Sequence, residues 1–317
     1  MDLVTLQKIQ TSASQVGGLE SIVGNTPLLP LHKIGSQIAP HVQIFAKAEW
    51  FNPGGSIKDR PALNIIQTAL ADGSLTPGKR LLDATSGNTG IAYATFGAAL
   101  GIPVTLTMPS NASRERIAIL HALGAELILT DAMEAADGAI RKVRELLADQ
   151  PERYFHANQY DNPANWQSHY HTTGPEIVHQ TEGRITHFVA GMGTSGTMTG
   201  VGRYLKEYNP EIQLVGGQPD TPLNGIEGFK HMATAIVPAI YDEDLLDRTE
   251  IITTEKARQM VRQLAYEEGL LVGVSAGANA ALALRVAERL ESGVVVTVFP
   301  DSGYKYLSDK TLWEGED

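Results

Sequence analysis

The chain has 317 residues, room for two modest domains or one large α/β unit. Its formal charge of −11 argues against nonspecific binding to nucleic acid or to an anionic membrane, both of which use positive charge. It contains no cysteine, which excludes disulfides, thiolate metal sites and a catalytic thiol.

The N-terminal MDLVTLQKIQTSASQ has neither a cationic start nor a continuous apolar stretch, and no apolar run reaches the ~18 residues of a membrane span. A cytoplasmic protein is expected. Val42–Ala48 alternates as a strand, and Pro61–Leu70 has helical spacing that stops at the turn pair Asp72-Gly73. Arg80–Ala84 reads as a strand, Asn88–Leu100 as a small-residue helix closed by Gly101, and Val104–Met108 as a strand. A helix over Ser113–Leu123, a strand over Glu126–Leu129 and an amphipathic helix over Met133–Ala148 follow. In the second half, strands are expected at His187–Ala190, Ile212–Gly216 and Val294–Phe299. Helices are expected at Gly196–Glu207, Thr254–Glu268 (Thr253 or Thr254 as N-cap) and Gly277–Leu290. Gln218–Val237 has no period and reads as a long loop of the kind that covers active sites. The β-α rhythm predicts parallel sheets with helices on both faces.

Four strand-to-helix turns carry chemistry. In Asn52-Pro-Gly-Gly-Ser-Ile-Lys58-Asp-Arg60, a lysine stands at a helix start, where the dipole and desolvation both disfavour its charged form. Such a lysine can form a Schiff base, though a turn with a solvated lysine has the same sequence. Lys47, the nearest other lysine, lies in an alternating strand and is expected at the surface. Thr85-Ser86-Gly87-Asn88-Thr89-Gly90 sets hydroxyls and an amide at a helix N-terminus, suited to a carboxylate. An ordinary N-cap at Ser86 or Asn88 would explain one residue of that run. Gly191-Met-Gly193-Thr194-Ser195-Gly196-Thr197 has glycines for close backbone approach and hydroxyls for a phosphate monoester. It also matches the dinucleotide pattern G-x-G-x-x-G, but the acid expected after the next strand is replaced by Gly217-Gln218. In Gly273-Val-Ser275-Ala-Gly277-Ala278, Ser275 serves equally as an N-cap or as a contact. The nine histidines are scattered, there is no H-E-x-x-H, and Trp166–His171 reads as helix packing and polar surface, so no metal is expected.

Together these motifs resemble the cysteine synthases (O-acetylserine sulfhydrylases) of the fold-type II pyridoxal-phosphate enzymes, over nearly the whole chain. Gly24-Asn25-Thr26-Pro27-Leu28 is similar to the family's N-terminal signature and Gly55–Arg60 to its cofactor-lysine segment. Thr85–Gly90 resembles its substrate loop, Gly193–Thr197 its phosphate loop, Ser275–Ala278 its pyridine-contact turn and Pro300–Leu307 its C-terminal motif. The resemblance implies an α/β fold, tryptophan synthase β-like, of two three-layer domains with mostly parallel sheets. Residues 46–154 would form a smaller, mobile substrate-loop domain, and 1–45 with 155–317 the larger cofactor-phosphate domain. It implies that Lys58 carries pyridoxal 5'-phosphate as an internal aldimine and serves as base and acid. Asn88 would meet the ring hydroxyl, Gly193, Thr194, Ser195, Gly196 and Thr197 the phosphate, and Ser275 the pyridine nitrogen. Thr85, Ser86, Thr89 and Gln159 would bind the substrate carboxylate. A hydroxyl at the ring nitrogen makes a weaker electron sink than a carboxylate would, which favours loss of a β leaving group. The implied reaction is β-replacement through an aminoacrylate, making L-cysteine from O-acetyl-L-serine.

Two motif positions depart from the commoner pattern. Ser195 stands where many relatives have Gly, and the pyridine turn is Ser-Ala-Gly rather than Ser-Ser-Gly. The Gln218–Val237 stretch resembles the cysteine synthase B branch, whose basic residue Lys230 matches, so O-phosphoserine is a second candidate substrate. Three further activities compete with cysteine synthesis. They are diaminopropionate formation, dehydration of serine or threonine, and, from the dinucleotide pattern, a nicotinamide-dependent oxidoreduction. By analogy the protein is a homodimer, with a sulfur-carrier protein or serine acetyltransferase as further partners.

Overall fold

A computed structural model describes residues 17–85 and 87–313, with the side chains at 135 and 136 left aside. Its elements in chain order are β1 (Leu28–Pro30), β2 (His41–Ala48), α1 (Asp59–Ala71), β3 (Arg80–Ala84), α2 (Asn88–Leu100), β4 (Val104–Pro109), α3 (Arg114–Ala122), β5 (Glu126–Thr130), α4 (Ala135–Asp149) and β6 (Tyr154–His156). They continue with α5 (Ala164–His171), α6 (Thr173–Gln180), β7 (His187–Gly191), α7 (Gly196–Tyr208), β8 (Gln213–Pro219), β9 (Arg248–Ile252), α8 (Thr254–Gln263), α9 (Val274–Ala287), β10 (Ser292–Phe299) and α10 (Lys310–Trp313).

The strands form two sheets. One has the order β5-β4-β3-β6 and is parallel throughout. The other has the order β1-β2-β10-β7-β8-β9, parallel except for the β1–β2 pair. Strand β10, with Val295, Val296 and Phe299 wholly buried, lies between β2 and β7, as expected of an apolar strand covered on both faces. Each sheet has its own core. Leu81, Tyr93, Phe96 and Leu106 centre one, while the six-stranded sheet is packed on its two faces by two further clusters, around Phe299 and around Phe188.

The expected rhythm is present, with informative shifts. Thr253 caps α8 by accepting from the Lys256 N–H at 3.2 Å. Its helical run continues through one π turn, Leu264–Glu268, and stops at Gly269. Helix α9 starts three residues earlier than the sequence suggests, because Gly273 is its N-cap. Ser275 is therefore within the first helical turn and is not a cap. Gly277, which reads as a loop signal, is inside the helix, where an added Cβ would lie 2.3 Å from the Ala257 carbonyl oxygen. Glycine is needed there for close packing of α9 on α8. The irregular stretch after β8 runs on to β9. Strands β1, β6 and β9 and helix α6 carry no clear sequence signal.

Candidate active site

The turns singled out in the sequence meet around one cavity of about 350 Å³, whose walls include Lys58, Thr85, Asn88, Thr89, Gln159, Gly193, Thr194 and Lys230. A smaller recess beside it, about 70 Å³, is lined by Lys58, Asn88, Gly193, Thr194, Ser195, Gly196, Thr197 and Ser275. Ser86 lies outside the described residues. Every other candidate residue reaches this pair of cavities.

Lys58 is the N-cap residue of α1. Its backbone N–H donates to Ser56 Oγ at 3.2 Å. Burial alone lowers its amine to about 8, with no charged or hydrogen-bonding group contributing among the described residues. The turn before it is braced by Asp59, whose Oδ2 accepts from the Gly54 N–H at 2.7 Å. Burial is also the main reason that the Asp59 carboxyl is pushed up to about 7.

The phosphate-type loop leads from β7 into α7. Gly193 is required by close approach, since a Cβ there would fall 1.9 Å from the Gly228 carbonyl oxygen. Thr194 Oγ1 accepts from the Gly196 N–H at 3.3 Å and from Asn165 Nδ2 at 3.3 Å. Ser195 adopts φ +69°, a left-handed conformation that costs a non-glycine residue roughly 1–2 kcal/mol. Its hydroxyl is buried without a hydrogen-bond partner among the described residues. A strained serine with an unspent buried donor, at the start of a helix, fits an anion.

On the opposite wall, Thr89 donates to Gln159 Oε1 at 2.8 Å, leaving the Gln159 amide N–H₂ for the cavity. The Asn165 side chain donates to the Gln159 carbonyl at 2.6 Å and so ties this wall to the phosphate-type loop. Ser275 is held from one turn away by Asn279, which accepts from the Gly191 N–H at 2.8 Å and donates to the Val298 carbonyl at 2.7 Å. Helix α9 is thus pinned to β7 and β10.

Several features of the site escaped the sequence reading. Lys47 is not at the surface. It is wholly buried, 2.5 Å from Glu176 Oε2 and 2.6 Å from the Thr26 carbonyl oxygen. The alternation of β2 holds only to Ile44; beyond it both faces are covered. Arg60 lies beside Lys47, between Glu49 and Glu176, at 2.7 Å from each. Asn88 is held by Asp301 and Lys305 from the C-terminal segment. Lys230 is half-buried, with its ammonium 4.1 Å from the centre of the Tyr160 ring and 3.3 Å from the Ile236 carbonyl oxygen. Glu227 pairs with Arg116 at the rim. Of the two histidines of Trp166–His171, His169 is buried between Thr173 and Thr197 of the phosphate-type loop, and burial keeps its ring well below the ordinary histidine range.

An amine without a partner among the described residues, an anion-suited loop and a neutral hydroxyl on α9, all lining one recess, fit pyridoxal phosphate: one group for its aldehyde carbon, one for its phosphate, one for its ring. The family pattern described as pyridoxal-phosphate dependent enzyme matches residues 19–301, and the chain belongs to that family. It is a cofactor-dependent enzyme, and its cofactor is pyridoxal phosphate. Within the family its place is among the cysteine synthases. It is 54% identical over 292 residues to a cysteine synthase of Aquifex aeolicus, covering 90% of this chain and 89% of that protein. It is 43% identical to cysteine synthase B of Escherichia coli, covering 93% and 96%. The crystal structure of a cysteine synthase from Entamoeba histolytica superposes with a TM-score of 0.91 at 36% identity, covering 95% and 92%. The fold is therefore fold type II, as the motifs imply, and a nicotinamide-dependent oxidoreductase is set aside. No helix among the described residues is long and apolar enough to cross a membrane.

Proposed function

We propose that the protein makes L-cysteine by β-replacement from O-acetyl-L-serine and a sulfur donor. The observation that carries this reading is the lysine whose amine has no partner, placed between an anion-suited loop and a wall of carboxylate donors. The cofactor, when bound, supplies an electron sink conjugated to the substrate's α-carbon. Lys58 tethers it, and once displaced by the substrate's amine takes the α-proton. An amine lowered to about 8 by burial is neutral in roughly a fifth of molecules near pH 7.4, against about a thousandth for an ordinary lysine, and a base must be neutral. Thr85, Ser86, Thr89 and the Gln159 amide hold the substrate carboxylate. Gly193, Thr194, Ser195, Gly196 and Thr197 hold the cofactor phosphate, and Asn88 meets the ring hydroxyl. Ser275 offers a hydroxyl, not a carboxylate, to the ring nitrogen. Charge left at the α-carbon is then expelled through the β-substituent, and the sulfur nucleophile takes the vacated position. Lys58 returns the proton.

The test is cysteine formation by the loaded enzyme from O-acetyl- and O-phosphoserine with sulfide. No cysteine from either ester would overturn the reading. Lys230 supports O-phosphoserine as a second reading, since it lines the cavity wall. Under that reading Lys230→Ala lowers kcat/KM selectively on O-phosphoserine, by roughly tenfold for a 1.4 kcal/mol contact. Equal small effects on both esters remove it.

The same reading treats residues 46–154 as a smaller, mobile domain, supported by the separate sheet and core that most of this stretch contains. A cytoplasmic homodimer, with a sulfur-carrier protein or serine acetyltransferase as further partners, rests on the resemblance of the motifs alone. Sedimentation of the purified protein tests the dimer.

A further inference from the structure

Asn88 is an amide whose two ends are both spoken for. Its Oδ1 receives Lys305 Nζ at 2.7 Å, and its Nδ2 donates to Asp301 Oδ2 at 2.8 Å. A lysine ammonium has no acceptor, so it meets the amide oxygen and the amide orientation is settled chemically. Two other acceptors, the carbonyls of Gly54 and Gly55, stand 3.4 and 3.2 Å from the same ammonium. Its three protons are accounted for, and none is left for a ligand. Asp301 is fixed in turn by the Tyr306 hydroxyl, which donates to the same Oδ2 at 2.7 Å. One N–H of Asn88 has no acceptor among the described residues, and the residue lines both cavities.

We propose that Lys305 and Asp301 are positioning residues that hold the Asn88 amide as a donor toward the cavity, and that Lys305 polarises it to favour an ionised ring oxygen on the cofactor. This rests on the reading that Asn88 meets the cofactor ring. A cation on the amide oxygen draws electron density from the nitrogen and strengthens its N–H as a donor to an anion. Without the lysine the amide is free to turn its oxygen to the ring, where two acceptors would repel.

The experiment uses full-length protein stripped of cofactor and titrated with pyridoxal phosphate. It reads the dissociation constant and the ratio of the bound cofactor's visible to near-ultraviolet absorbance bands. Lys305→Met, which keeps the buried stem, is expected to weaken binding about tenfold, equivalent to ~1.4 kcal/mol, and to lower the band ratio. Lys305→Arg is expected to restore most of both. Asp301→Ala, which removes the acceptor that anchors the amide nitrogen, is expected to weaken binding in the same direction. In an Asn88→Ala background, Lys305→Met should change the dissociation constant by less than about twofold, because its effect passes through the amide. If it weakens binding there by the same factor as in wild type, Lys305 acts on the Gly54–Gly55 turn and the proposal is overturned. An Asn88→Ala protein that binds and absorbs like wild type overturns the underlying reading of Asn88. A clear effect of Asn88→Ala with a silent Lys305→Met overturns the positioning role alone. Should Lys305→Met not fold, Lys305→Gln keeps a neutral donor to the amide. It is expected to retain affinity within about threefold while the band ratio still falls, and an unchanged ratio counts against the proposal.

Discussion

Two lysines, the wholly buried Lys47 and the partly buried Lys58, stand eleven residues apart and differ in company. Around Lys47 every charge has a counter-charge: Glu176 serves both Lys47 and Arg60, and Glu49 serves Arg60, Thr26 and Asn52. Around Lys58 the polar groups are left with capacity to spare, and the Ser195 hydroxyl is the clearest case. Burial is common to both regions, so burial does not make a lysine reactive. The absence of a partner does, since desolvation is then uncompensated and the neutral amine is favoured. One region ties β1, β2, α1 and α6 together; the other lines the cavity.

The largest effect should come from Lys58→Ala, about 10⁴-fold or more on turnover, because tether and base are lost together. The visible absorbance of bound cofactor should vanish with it. The same change in the Lys47 region should act on stability instead. Arg60→Ala strips Glu49 of its counter-charge and should lower unfolding free energy by roughly 3–5 kcal/mol in a urea titration. A fully stable Arg60→Ala protein would break the contrast.

The pH dependence of the two regions should have the same sign but fall in separate windows, one acid and one alkaline. Burial pushes the Glu49 carboxyl up, but Arg60 and Lys47 outweigh it and hold the group below its ordinary 4.5. Its stabilising contribution is present above that value and is lost as pH falls through the lower folded value. Lys58, lowered to about 8, penalises the cofactor-free fold below that pH. The unfolded chain binds more protons between about 8 and 10.5, so stability from this group rises across that window. Lys58→Met should flatten the alkaline rise in Tm of the cofactor-free protein and leave the acid limb unchanged. The smallest effect should be that of Ser195→Gly, which relieves the left-handed strain and should stabilise by about 1 kcal/mol. The same change removes a donor, weakening pyridoxal phosphate binding roughly fivefold. Opposite signs in the two measurements would sharpen the comparison, and equal signs would undo it.

Most of the frame was legible because β3, α2, β4 and β10 show their period or their continuous apolar character openly. The site turns were legible because Lys58, Asn88 and Gly193 each follow a strand and stand at or just before a helix start; Ser275 also opens a helix, but the element before it is the helical run Thr254–Glu268 and not the strand the sequence suggests. The missed elements have physical reasons. Strand β6 is three residues long, too short for any period. Helix α6 begins Thr-Gly-Pro, which reads as a break, although Pro175 is tolerated in a first turn where its missing N–H has no partner to lose. Strand β9, half-exposed at an edge, carries Arg and Glu where an apolar face would be sought. The Asn88 clamp was invisible for another reason: its members are some 200 residues apart in sequence, and nothing in local composition links them.

The position of β10 has a consequence for how the molecule is made. The last long strand inserts beside β2, with Phe299 opposite Ala48, and the residues just after it return to the cofactor-lysine turn through the pairing of Asp301 with Ser56. A nascent chain therefore carries β2 with an open edge through almost the whole of its synthesis. Such long-range pairing is slow to form and leaves strand edges exposed to wrong partners in the meantime. It also means that a truncated or unfinished chain, however well its first sheet folds, lacks the segment that closes the lysine turn.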